Sequence, residues 1–162
     1  MLETAEELAA LQAAIDRTWR SAGDHLLEVW PERCRMDAEE LTDRMTGMRV
    51  LVLATASSDG RPFTGPVDAF LVGGSWHLGT APGALRARHL AARPACSATY
   101  VEGEEVVVTV HGRAVPIDPL ATERYARVCR ERYGPDWDGW HVGNPYWRIE
   151  ADRVLACDGT RR

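Results

Sequence analysis

The sequence contains no lysine. All 19 of its basic side chains are arginines, set against 24 carboxylates, for a formal charge of −5 over 162 residues. Schiff-base chemistry on a lysine amine is thereby excluded. Net acidity and the scatter of the arginines also speak against a nucleic-acid surface, which needs clustered positive charge. The arginine bias is that of a GC-rich coding sequence, so an arginine counts toward function only where its surroundings single it out. Long apolar runs are absent as well: none approaches the roughly 18 residues of a membrane span. The amino end, Met1-Leu2-Glu3, carries acid where a signal peptide has cations. A cytoplasmic protein with no membrane or nucleic-acid partner is expected. Cysteine is sparse and dispersed: Cys34, Cys96, Cys129 and Cys157 form no Cys-x-x-Cys pair and no zinc-type spacing with histidine. Four free, mostly buried thiols and no metal site are expected.

What is present reads as one domain over residues 1–162, with a helical extension (1–48), a core of strands (49–117) and a closing segment (118–162). Leu8, Leu11 and Ile15 recur at helical spacing, predicting a helix from Thr4 to about Ala22. Asp37-Ala38-Glu39-Glu40 has the form of a capping box for a second helix that stops at Gly47. From Arg49 the pattern turns to strands. Arg49 to Ala56 and Phe63 to Val72 flank the hairpin signal Ser57-Ser58-Asp59-Gly60, and Gly73-Gly74 turns into Ser75 to Thr80. Ala95 to Val101 and Glu105 to Val115 follow. In the latter, Val106-Val107-Val108-Thr109-Val110 is apolar on both faces, predicting cover on both sides. Asp118-Pro119 reads as the start of a third helix running to about Arg132. Tyr133 to Trp147 is rich in aromatics, Gly, Pro and Asp and is expected to be irregular. Arg148 to Cys157 reads as a final strand.

The most telling stretch is Trp76-His77-Leu78-Gly79-Thr80, a strand closed by a hydroxyl, followed by Ala81-Pro82-Gly83-Ala84 and a short helix with Arg86 in its first turns. Free N–H groups at a helix start bind phosphate, and a guanidinium grips it with two parallel charge-assisted bonds. Arg88, two residues on, points to another face of the helix and is the weaker candidate.

The order Thr80, Arg86, Leu90, Arg93-Pro94 resembles the pyridoxamine 5'-phosphate oxidase-like, flavin-binding split-barrel superfamily. Leu51 to Thr55 with Asp59-Gly60-Arg61-Pro62, and Gly65-Pro66-Val67 through Phe70, are similar to its first two strands. The resemblance covers about two-fifths of the chain, Arg49 to Ile117. It implies a mainly β protein with flanking helices: a Greek-key split β-barrel of six or so antiparallel strands, homodimeric, with FMN at the dimer interface. By the same resemblance, Thr80 and Arg86 would hold the FMN phosphate, with Arg88 in reserve. His77, Leu78 and Gly79 would run along the isoalloxazine, with Gly79 admitting a flat ring, and Pro66 and Val67 would set backbone groups against the pyrimidine edge. Asp68 stands where a basic or polar residue is usual, so it either faces away or binds substrate. Trp137, Trp140 and His141 are candidates for a substrate pocket.

The expected function is flavin-dependent transfer of hydride or electrons to or from a small molecule. The cofactor does the chemistry, so no catalytic residue is assigned. Val107 replaces a flavin-contacting glutamine of the true oxidases, and their carboxy-terminal Arg-x-His-x-Arg substrate motif is missing, so oxidation of vitamin B6 is not implied. Three alternatives remain open. The deazaflavin F420 could set its acidic tail against Arg61, Arg86 and Arg88. A non-enzymatic binder could hold a flavin, or haem through His77, His111 or His141. The cofactor site could also have decayed, leaving a structural dimer.

Overall fold

The computed structural model describes residues 3–161, apart from the side chain of Trp140. The chain opens with α1 (Ala5–Arg20), whose start is set by a capping box: the Thr4 hydroxyl accepts from the Glu7 N–H and the Glu7 carboxylate accepts from the Thr4 N–H. Its buried stripe of Leu11, Ala14 and Ile15 packs on the barrel. A six-residue helix, α2 (Asp24–Val29), follows with no buried residue and was not foreseen. The second capping box, Asp37 with Glu40, starts α3 (Ala38–Arg44) where the sequence puts it.

The strands are β1 (Met48–Ala56), β2 (Pro62–Val72), β3 (Ser75–Gly79), β4 (Ala95–Glu102), β5 (Val106–Ile117) and β6 (Tyr146–Asp158). They form a closed antiparallel barrel in the order β1-β2-β3-β6-β5-β4. Between β3 and β4 runs α4 (Leu85–Ala92). Between β5 and β6 run α5 (Glu123–Tyr133) and the four-residue α6 (Trp137–Trp140). The β2–β3 turn needs its two glycines: Gly73 and Gly74 have φ of 59° and 69°, the left-handed pair that a two-residue hairpin of matching twist demands.

Two expectations are corrected. Asp118 does not cap a helix; its carboxylate accepts from the Leu120 N–H and closes a turn, and α5 starts only at Glu123. The aromatic segment does contain a helix, α6, held because Arg130 pairs with Asp138 at 2.8 Å and lies over the Trp137 ring at 5.6 Å. In the valine run of β5, Val106, Val108 and Val110 enter the core, while Val107 and Thr109 are half-buried on the outer face, the side on which a partner subunit is expected. All four cysteines are free and buried. No described helix is long and apolar enough to cross a membrane.

Side-chain alternation sorts β2 and β3 into two faces. Val67, Ala69 and Leu71 point into the barrel with Trp76 and Leu78. Phe70 and Val72 lie on the other side, under α5, in a second apolar cluster with Tyr125, Ala126, Cys129, Trp137 and Tyr146. Of the candidates on these two strands, Pro66, Asp68, His77 and Gly79 fall on this second face, while Val67 and Leu78 point into the barrel.

Candidate functional site

Where α5 lifts away from the outer face of β2 and β3, it leaves a cavity of about 530 Å³, within the roughly 300–1,000 Å³ of small-molecule sites. Its floor is Pro66, Val67 and Asp68 of β2, and Gly79 with Thr80 and Ala81 at the end of β3. Its wall is Phe70, Tyr125, Cys129, Tyr133, Trp137 and Tyr146, and Arg86 and Asn144 also border it.

Arg86 sits in the first turn of α4 and reaches back over β2, where its Nη1 donates to the Pro66 carbonyl. Gly65 makes room for this: a Cβ there would lie 3.3 Å from Arg86 Nη2. Among the described residues no carboxylate pairs with Arg86, although the chain forms ion pairs elsewhere. Thr80 borders the same end, but its N–H is already spent on the Pro145 carbonyl at 3.2 Å, extending the β3–β6 ladder. No side chain caps α4 at Ala84.

The opposite wall is aromatic and electrically quiet. Burial pushes the Tyr125 hydroxyl far above its ordinary range and the Cys129 thiol up to about 12, so neither ionises near neutrality. Tyr133 is likewise pushed up, by burial and by the charge of Asp68, whose carboxylate accepts from the Tyr133 hydroxyl at 3.0 Å.

A comparison with family models decides the kinship: the one described as Pyridoxamine 5'-phosphate oxidase matches residues 38–156. The chain belongs to the pyridoxamine 5'-phosphate oxidase family. Solved structures agree on the fold. A conserved hypothetical protein of Mycobacterium tuberculosis superposes with a TM-score of 0.71 at 24% identity, over 82% of this chain and 91% of that one. The haem storage protein HutZ of Vibrio cholerae gives 0.60 at 19%, over 76% and 95%. A protein named F420 reductase gives 0.54 at 15%, over 68% and 91%. A search of curated proteins found no match.

In this member of the pyridoxamine 5'-phosphate oxidase family, the cavity gathers seven of the residues singled out in the sequence for cofactor or substrate: Pro66, Val67, Asp68, Gly79, Thr80, Arg86 and, on its wall, Trp137. Asp68 does not face away. Val67 turns its side chain into the barrel core, so it borders the cavity through its backbone. The others lie elsewhere. Leu78 is wholly buried in the barrel. His77 is packed 4.9 Å from the Tyr125 ring, its Nδ1 donating to the Ser75 carbonyl, and burial lowers its pKa to about 4. His141 is stacked at 4.6 Å on Trp137 and donates to that residue's carbonyl, away from the cavity. Arg88 is exposed on α4 off the cavity, and Arg61 pairs with Asp59 in the β1–β2 turn. The Trp140 side chain falls outside the described residues.

The flat ring that Gly79 admits is one of the protein's own. Gly79 pairs with Tyr146 across β3 and β6, and a Cβ on Gly79 would lie 2.3 Å from the Tyr146 ring. Sequence reasoning missed Phe70, Tyr125, Cys129, Tyr133, Asn144 and Tyr146 as lining residues. A signal existed for α5: Tyr125, Cys129 and Tyr133 recur every four residues and so share one helical face.

Proposed function

We propose that the protein is an oxidoreductase that holds FMN in this cavity and acts, as a homodimer, on a small substrate. The observation that carries the reading is Arg86: a guanidinium without a carboxylate partner among the described residues, laid at the end of an aromatic-walled cavity beside the Thr80 strand end. The donor set fits the group. Arg86 and the Thr80 hydroxyl would hold a phosphate, and the rings of Phe70, Tyr125 and Tyr146 would cover a flat heterocycle.

Bound there, a flavin would supply transfer of hydride or of an electron pair. The chain's own part is binding and exclusion. Arg86 neutralises the phosphate, and its bond to the Pro66 carbonyl fixes the guanidinium in advance. The aromatic wall keeps water out, which strengthens each polar contact inside. Tyr133 stays protonated and donates to Asp68, holding that carboxylate in one orientation.

The dimer is proposed on the sheet face beside the cavity. Val50 and Val52 of β1, 49% and 48% exposed, register beside Asp68 and Pro66, and Val101 of β4 is 59% exposed. A second copy laid on these valines would cover them and wall the open side of the cavity.

A second reading, F420 in place of FMN, is favoured by a groove of about 160 Å³ lined by Phe63, Thr64, Gly65, Ala84 and Leu85, with Arg86 common to both spaces. A ligand whose chain continues past a first phosphate could enter it. Haem is less suited: among the described residues no histidine lines the cavity, His77 and His141 are buried, and His111 is exposed on β5, bonded to Ser97.

An absorption spectrum of the purified protein, then titration with FMN, F420 and haemin, tests the reading. FMN bound at a flavin spectrum supports it; binding of neither FMN nor F420 overturns it.

A further inference from the structure

Helix α4 carries Arg86 to the cavity, and little apolar contact fixes where the helix lies. It is eight residues long, too short to be stable alone, has no side-chain cap at Ala84, and buries only Ala87, His89 and Leu90. Polar bonds supply the rest. Arg86, His89 and Arg93 follow at i, i+3 and i+7, one stripe along the helix and its C-cap, and each bonds to the barrel. Arg86 Nη1 donates to the Pro66 carbonyl of β2, His89 Nδ1 shares a hydrogen bond of 2.9 Å with the Thr55 hydroxyl of β1, and Arg93 Nε donates to the Ala56 carbonyl at 3.0 Å. Of the three, the middle bond is the one buried at both ends: Thr55 is 6% and His89 5% exposed. Phe63, in register with Thr55, sets its ring 5.2 Å from the imidazole.

We propose that Thr55 and His89 are positioning residues for Arg86: their bond fixes α4 along and about its axis, so that the guanidinium meets the Pro66 carbonyl at the edge of the cavity. Apolar contact between Leu90 and the barrel has no direction and tolerates sliding, whereas a hydrogen bond weakens steeply once its angle is lost. With both ends buried, a displaced helix would leave a polar group unmet, and that cost holds α4 in one place. Arg86 stands one turn before His89, so any slide or rotation of the helix there carries the guanidinium with it. Neither Thr55 nor His89 borders the large cavity. Both act on it through α4.

What Arg86 binds rests on the cofactor reading; where Arg86 is held does not, and two measurements separate them. The first needs no ligand: nitrogen-15 NMR of the guanidinium groups, with Arg86 assigned by its absence in Arg86→Ala. Separate signals are expected for its Nη1 and Nη2 in the parent protein, because the Pro66 bond hinders rotation. One averaged signal is expected in Thr55→Val, which matches threonine in shape but lacks the hydroxyl, and separate signals again in Thr55→Ser, which keeps it. Averaged signals in the parent or in Thr55→Ser, or separate ones in Thr55→Val, overturn the proposal. The second is calorimetric titration of FMN. Thr55→Val is expected to bind about three- to tenfold more weakly than the parent, the span of one neutral hydrogen bond, and to add nothing to the loss in Arg86→Ala. No loss, or a loss that is the same with and without Arg86, overturns the proposal. If the parent protein does not bind FMN, the cofactor reading falls and the NMR result alone decides how Arg86 is held.

Discussion

The ring of Tyr146 lies across the backbone of Gly79, so close that a methyl group on Gly79 would stand 2.3 Å from Cε1 and 2.6 Å from Cδ1 of the ring. The two residues are paired across β3 and β6, where the floor of the cavity meets its wall. Gly79→Ala must therefore push the ring aside. It is expected to cost about 1–3 kcal/mol, the usual range for overpacking. In a cycle with Tyr146→Val the two losses should be non-additive by more than about 0.5 kcal/mol, because the second change removes the clash. Urea unfolding of the four proteins measures it, and strict additivity would contradict the contact.

Much of this floor was legible in the sequence, because strand alternation and turn chemistry are local. The Asp37 capping box, the Gly73-Gly74 turn and the run from Trp76 to Thr80 into the Arg86 helix all stand where the pattern puts them. The wall was not. Phe70 and Val72 continue an apolar strand whose inward face is already supplied by Val67, Ala69 and Leu71. That surplus says that something covers the outer face, but only tertiary packing says that it is α5. His77 shows the same limit: its spacing from Gly79 puts both on one face, but not that Tyr125 would seal one and leave the other open.

His77 should titrate far from an ordinary histidine. Burial under Tyr125 lowers its pKa from 6.5 to about 4. The neutral ring is favoured in the folded protein, so the stability it contributes is complete above pH 6.5 and is lost as pH falls from there through 4. In full it amounts to about 3 kcal/mol. An NMR titration of the ring carbons should find a midpoint near 4; a midpoint near 6.5 would mean that the ring is open to water.

The carboxylate of Glu7 grips both guanidinium nitrogens of Arg124 and so ties α1 to α5 across the Gly73-Gly74 turn. Its pKa falls from 4.5 to about 2, chiefly through the Arg124 hydrogen bond. This stability is present above pH 4.5 and is lost as pH falls through 2, a window below that of His77. With both side chains partly exposed, it is worth about 1–2 kcal/mol. Glu7→Gln should lose that amount at pH 7 and show a flatter acid limb between pH 4.5 and 2 in denaturant melts.

Val52→Asp tests the dimer face. Val52 is 48% exposed, so a charge there is tolerated by a monomer, but would be buried without a partner against a second copy. Sedimentation should find the variant monomeric at concentrations where the parent protein is dimeric. A parent protein that is monomeric throughout, or a variant that still dimerises, would contradict the proposed face.

The most direct test of the account is calorimetric titration of FMN into the parent protein and into Arg86→Ala. Loss of one charge-assisted hydrogen bond to phosphate predicts about a ten- to a hundredfold weaker affinity, with Arg88→Ala and Arg61→Ala unchanged because neither side chain borders the cavity. Unchanged affinity in Arg86→Ala, with a loss in Arg88→Ala or Arg61→Ala, would contradict it.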